Sequence, residues 1–150
     1  MLSIDVIFIG DKRIFVIEII APAKIQEKTL SVHYERMRSL KPSSEILTDM
    51  PVTRWYKDVV MDFSIHAKSD SNSDELLFET YKKYLDAYFA MVKAAEPISD
   101  DQSRKVSQAT EWYVDTLISK GGPAVDMLAW LMGKEKMREY SRTIMFGLNP

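Results

Sequence analysis

The 150-residue chain has no cysteine, which excludes a disulfide framework, a thiol nucleophile, a cysteine-ligated iron–sulfur cluster and a thiolate zinc site. Histidine is nearly as scarce: the two, His33 and His66, stand far apart, so a metal site has little support. Glycine is sparse as well. Gly121-Gly122 lacks the downstream Gly-Lys-Ser/Thr of a P-loop, and no serine stands in a nucleophile-elbow setting. Neither sign of charge dominates; a net charge of −2 argues against a nucleic-acid partner. No apolar run approaches the length that spans a bilayer. The apolar start carries Asp5 and lacks a basic leader, so a signal peptide is not expected. There is no internal repeat and no low-complexity tract. A hydrophobic share of 46% with 28% charged residues is ordinary for a globular protein, and residues 1–150 fit one domain with a sizeable core.

What is present begins at once. Leu2–Ile9 and Arg13–Ile20 are β-branched and aromatic runs split by Gly10-Asp11-Lys12, which predicts a β-hairpin. Alternation puts Ile4, Val6 and Phe8 on one face and Ser3, Asp5, Ile7 and Ile9 on the other. Both faces are mostly apolar, as expected of a central strand covered on two sides. Asp5 is the exception. A carboxylate is costly to bury unless paired, burial raises its pKa, and a carboxyl poised near neutrality can move protons. The ordinary reading, a strand-end Asp facing water or paired with a base, carries more weight from these residues alone. Because the chain opens directly in a hydrophobic strand, either Val59–Ala67 supplies the missing pairing or an N-terminal portion is absent; the second is the expectation.

Further along, Leu30, Tyr34, Met37 and Leu40 have helical spacing up to Lys41-Pro42, with His33 among them as a packing or surface residue. The Arg54-Trp55-Tyr56-Lys57 cluster either covers a core edge or meets a planar ligand or an acidic partner. Val59–His66 reads as a third strand and Lys68–Asp74 as a polar linker. Asn72 with Glu75 predicts a capping box ahead of a helix striped by Leu77, Tyr81, Tyr84, Leu85, Tyr88, Val92 and Ala95. Pro97 breaks it, and Ser99 with Gln102 predicts a second box. The next helix carries Val106, Ala109, Tyr113 and Leu117 and ends at Gly121-Gly122. Pro123 opens a third, with Met127, Leu128 and Leu131 apolar, and Gly133 separates it from a last helix bearing Met137, Tyr140 and Ile144. The pattern is α+β, strands first and helices last, and by itself names no reaction.

Several stretches resemble the ferredoxin-dependent bilin reductases. Ser3–Glu18 is similar to that family's central hairpin, in which an Asp precedes apolar residues, a turn and a second apolar strand. Glu79–Met91 resembles its Tyr/Leu-rich helix, and Leu131–Phe146 its closing helix and Met-Phe or Leu-Phe ending. That ending, with the segment from His33-Tyr34 to Pro42, leans towards members that convert biliverdin to 15,16-dihydrobiliverdin. The resemblance implies an α/β/α sandwich within the α+β class: an antiparallel sheet covered by helices, a helical C-terminal half, and an open tetrapyrrole held between sheet and C-terminal helices. It implies no metal or tightly bound cofactor, reduced ferredoxin as the electron donor, and a bilin substrate. Nucleic-acid and membrane partners are not expected, and the location implied is cytoplasm or plastid stroma. Asp5 matches the catalytic Asp on the hairpin, which reverses the weighting above. Substrate contacts are expected at Tyr113, Asp126 and Met127.

Two departures accompany the resemblance. The family's N-terminal part, with earlier strands and sometimes further proton donors, has no counterpart here. Many members also carry a second functional Asp where this chain reads Ser119-Lys-Gly-Gly-Pro123. The acid is missing at Gly122 or its neighbour, and neither Asp115 nor Asp126 occupies the matching position. The alternative to an enzyme is therefore a non-catalytic bilin-binding protein, or a degenerate relative, on the same scaffold.

Overall fold

The structure, a computed structural model, describes residues 1–25, 28–42, 46–121 and 123–148, with only the backbone at 123 and 124. The α+β class expected from the sequence is borne out by an antiparallel four-stranded sheet and six α-helices. The chain forms two compact units, Met1–Pro97 and Ile98–Pro150.

In the first unit, β1 (Leu2–Ile9) and β2 (Lys12–Ile19) form the expected hairpin, in register from Ile9↔Lys12 to Leu2↔Ile19. The loop has two residues. Gly10 has φ +57°, and its neighbour Asp11 does not share the positive φ, as in a type II′ turn that matches the strands' twist. β2 also pairs with β4 (Ile65–Asp70), and β4 with the short β3 (Thr48–Asp49), giving the order β1-β2-β4-β3. The central strand is therefore β2. β1, expected to be covered on both sides, lies at the edge, with Val6, Ile7, Phe8 and Ile9 exposed.

The third strand also begins later than Val59. Residues 59–61 touch the end of β2 through the Ile20↔Val60 bridge and the Met61 N–H to Ile19 carbonyl bond at 2.8 Å. A turn follows, closed by the Ser64 N–H on the Met61 carbonyl. There the Ser64 hydroxyl, not a backbone carbonyl, accepts the Ile19 N–H at 3.1 Å, and regular pairing resumes at Ile65. The "linker" from Lys68 is strand as far as Asp70. Asp70 accepts the Asn72 N–H at 3.0 Å and opens a 3₁₀ turn over Ser71–Ser73. This moves the N-cap of α3 (Asp74–Ala94) to Ser73, so the predicted Asn72–Glu75 box does not form.

The core lies on one face of this sheet. Phe15, Ile17 and Ile19 of β2 and Ile65 and Ala67 of β4 pack with Leu30, with Met37 of α1 (Ser31–Arg38), and with Leu77, Tyr84, Ala87 and Met91 of α3. The predicted α3 stripe holds at Leu77, Tyr81, Tyr84, Leu85 and Tyr88 but is exposed at Val92 and Ala95. Tyr84 is fully buried and donates to the Phe63 carbonyl at 3.1 Å; burial, with the Asp62 charge adding to it, raises its pKa and keeps the phenol neutral. At the sheet's end, Arg13 holds Asp74 through Nε at 2.6 Å and Nη2 at 3.0 Å, tying β2 to the start of α3. α2 (Arg54–Lys57) is one short turn before the 59–64 segment.

The second unit is helical. α4 (Asp100–Lys120) starts at the predicted Ser99–Gln102 capping box, with both reciprocal bonds present, and stops at Gly121, whose φ of +70° suits glycine. α5 (Pro123–Met132), α6 (Lys134–Tyr140) and a π-helical turn over Ser141–Met145 complete it. Its described interior is Tyr113, Val114, Val125, Met137 and Ser141. The expected apolar stripe of α5 is not buried: Met127, Trp130 and Leu131 are exposed, as is Ile144, because so small a unit cannot surround every apolar side chain.

Candidate functional site

Cross-strand partners share a face, so the ladders place side chains in rows. Asp5 pairs with Val16, and Val16 with His66. The three form one row on the face opposite Phe15, Ile17 and Ile65, away from α1 and α3. Two residues along β2, Glu18 joins that face; two along β4, Lys68 does. The row runs from open to closed: Asp5 is exposed, Val16 is 8% exposed, and His66 is largely covered. The burial expected for Asp5 is thus not found: among the described residues β1 pairs on one side alone.

Burial falls instead on Glu18, a carboxyl residue only 7% exposed. One of its oxygens accepts the hydroxyl of Tyr56 from α2. The other lies 3.3 Å from His66 Nε2. That nitrogen is enclosed and makes no aligned hydrogen bond, so carboxylate and imidazole touch without locking each other. Trp55 packs edge-on to Tyr56 at 5.3 Å. Arg54 and Lys57 are exposed. The cluster therefore combines a solvent-facing acid and a walled-in acid–imidazole–phenol trio, whose groups can hold or pass protons, with Val16 as an apolar spacer between them.

Of these groups the sequence singled out Asp5 and missed Glu18 and His66. The signal was available for Glu18: once the two-residue turn fixes the hairpin register, it falls on Asp5's face, whereas His66 is one of three polar residues, with Asp62 and Ser64, in an otherwise apolar run.

The remaining expected contacts lie in the second unit and are not gathered at one point. Tyr113 is interior, 2% exposed, with its ring edge-on to Phe146 at 5.8 Å. Asp126 is exposed and lines an open cleft of about 470 Å³ with Gly121, Lys134 and Arg138. A Cβ at Gly121 would meet its Oδ1 at 3.2 Å, so the bare backbone leaves the carboxylate its place. Met127 is exposed. Asp115 is engaged by Arg142 at 2.6 Å. Gly122, where the second acid was expected, lies outside the described residues. Among the described residues, no group of three His, Cys, Asp or Glu converges to hold a metal ion, and no helix is long and apolar enough to cross a membrane.

Compared with known families, residues 1–147 match the one described as ferredoxin-dependent bilin reductase. A search of curated proteins found no match.

Proposed function

The chain belongs to the ferredoxin-dependent bilin reductase family, and from that premise we propose that it reduces biliverdin IXα or a dihydrobiliverdin by two electrons, a step of phycobilin formation, with Asp5 as a proton donor. What carries this reading is the coincidence of the family match over nearly the whole chain with an acid exposed on the sheet face that α1 and α3 leave uncovered.

Ferredoxin delivers electrons one at a time. Each electron added to the conjugated tetrapyrrole makes it more basic, so a positioned acid is needed at the moment of transfer. A carboxyl withdrawn from water beneath an apolar ligand is a known route to proton donation near neutral pH. Asp5→Asn keeps the shape and most of the hydrogen bonding but removes the transferable proton. The variant should still bind biliverdin, seen as a shifted and sharpened visible spectrum, accept an electron and stall at a long-lived radical. The expected loss of product formation is about 10² to 10⁴-fold. Turnover like the wild type would remove Asp5 from the mechanism. Tight binding by the wild type without product under reduced ferredoxin would establish the non-catalytic reading, which the glycine at position 122 favours.

An acidic ferredoxin needs a basic surface to meet. Arg54 and Lys57 beside Trp55, and Lys134, Lys136 and Arg138, are exposed. Docking at either cluster makes the reduction rate fall as salt rises, since exposed charges are screened within about 10 Å at 0.1 M. A salt-independent rate would count against both clusters.

A further inference from the structure

Among the described residues β1 is hydrogen-bonded on one side alone, by β2. The Ile20 N–H binds the Met1 carbonyl at 2.8 Å. By the alternation of an antiparallel ladder, Ser3, Asp5, Ile7 and Ile9 therefore turn their backbone groups towards β2, and Leu2, Ile4, Val6 and Phe8 turn theirs outward. The Ile19 N–H agrees with this phase: Ile19 is the partner of Leu2, and its N–H points away from β1 to the Ser64 hydroxyl. Sheet edges are commonly blunted by lysine, proline or a bulge. β1 has none of these. Its register with β2 is unbroken, and its one charge is Asp5. The stretch from Asp5 to Ile9 is exposed throughout, and after Asp5 it is wholly apolar.

That exposed stretch is centred on Ile7, which makes it complementary to itself. A two-fold axis through Ile7, perpendicular to the sheet, sets β1 antiparallel to the β1 of a second copy. Val6 of each copy then lies opposite Phe8 of the other, and the pair exchanges two backbone hydrogen bonds through groups already turned outward. Ile7 meets Ile7, and Asp5 meets Ile9. Within its own chain Ile9 pairs with Lys12, so each Asp5 carboxylate shares a row with the other copy's Lys12 ammonium. A register centred on Asp5 would instead oppose two carboxylates. The axis also keeps like faces together. Val6 pairs with Phe15 and so faces α3, where Val6 and Phe8 border an apolar cleft of about 270 Å³ with Phe15, Leu77, Phe78 and Tyr81. A cavity of about 150 Å³ is enough for a benzene ring. Phe8 is the most exposed of the four apolar residues, and its ring in the second copy arrives beside Val6 at this cleft.

We propose that β1 pairs with the β1 of a second copy of this chain, antiparallel and centred on Ile7, joining the two sheets into one. The contact is self-complementary and uses the β1 edge of both copies, so it closes at two. The proposal does not depend on the bilin-reductase reading, because Asp5 keeps its place on the face away from α3.

The test is the mass of the 150-residue chain in solution, by sedimentation equilibrium over a range of concentrations, with amide hydrogen exchange on the same samples. The wild type should move from 17.3 kDa towards twice that value. The Val6 and Phe8 amides should slow by about tenfold or more as it does, while Ile7, bonded within the chain, exchanges slowly throughout. Ile7→Lys sets two ammonium groups against each other at an exposed position and should leave a folded monomer, with association weakened by about 10²-fold or more. Ile7→Cys, in a chain with no other thiol, should form an intermolecular disulfide on oxidation, since facing residues of such a pair stand about 4.5 Å apart at Cα. Ile9→Cys should not, because the axis separates its two copies by about 13 Å along the strands. A wild type that stays at the mass of one chain, or grows past two without stopping, overturns the proposal. So does a dimer that Ile7→Lys leaves intact, or one in which Ile9→Cys links as readily as Ile7→Cys. Val6 and Phe8 amides that slow only when phosphatidylcholine vesicles are added to a monomer would assign the stretch to a lipid surface and overturn it too. If Ile7→Lys does not fold, the two cysteine variants decide.

Discussion

On one face of the sheet Phe15, Ile17, Ile65 and Ala67 close against the helices, none more than 1% exposed; on the other, one residue along each strand, Val16 separates an open Asp5 from a walled-in His66. The period of two in a strand gives adjacent residues opposite surroundings. Stability and chemistry can therefore occupy neighbouring positions without sharing side chains. The arrangement also leaves no freedom of register, because a slip by one residue would drive Asp5, Glu18 and His66 into the helix-covered face.

The division can be broken hardest from the apolar side. Ile17→Ala should cost about 2–5 kcal/mol in urea unfolding, while bilin turnover per folded molecule stays near the wild-type value. A matching fall in turnover would mean that the two faces are not separable. Tyr84→Phe sharpens the same contrast with one atom. It removes a buried donor from the Phe63 carbonyl and should cost about 0.5–1.5 kcal/mol, again without changing turnover. Asp74 gives a smaller, pH-dependent effect. Hydrogen bonds from Arg13 hold its carboxyl below the usual carboxylate range. Its contribution is therefore complete above about pH 4 and is lost as pH falls through the depressed value. Asp74→Asn should flatten that part of the acid-unfolding curve, modestly, because the carboxylate is half exposed. The smallest change belongs to Asp5→Asn, which should alter unfolding free energy by no more than about 0.5 kcal/mol even as turnover collapses. A stability loss several times larger would place Asp5 in the packing.

The features legible in the sequence were those set by local chemistry. The hairpin followed from two apolar runs about a glycine, and the Ser99–Gln102 box from spacing alone. Features set by distant partners were not legible. Val59–Phe63 has the composition of a strand, but the Ser64 hydroxyl takes the Ile19 N–H and pairing starts again only at Ile65. Asn72 and Glu75 have capping-box spacing, yet Asp70 binds the Asn72 N–H first. Leu2–Ile9 looks central because it is apolar on both sides, and its place at the end of the strand order among the described residues depends on partners that its own composition does not name. For the same reason Asp5 could be found by its oddity, while Glu18, Tyr56 and His66, contributed by three separate elements, could not be seen as a group.

The position of β2 also bears on the order in which the molecule is made. Its pairing with β1 closes a two-residue loop, an event of about 1–10 μs for a hairpin. Its pairing with β4 must gather residues such as Ile17 and Ile65 from far apart in the chain, and such long-range contacts form late. Until then β2 has one finished edge and one raw edge, with Lys12 and Arg13 at its start as the charges that discourage mispairing. Asp5, Glu18 and His66 share a surface only after that slow closure. Appearance of the bilin spectrum during refolding should therefore trail the early gain of β-structure and time the final step of folding.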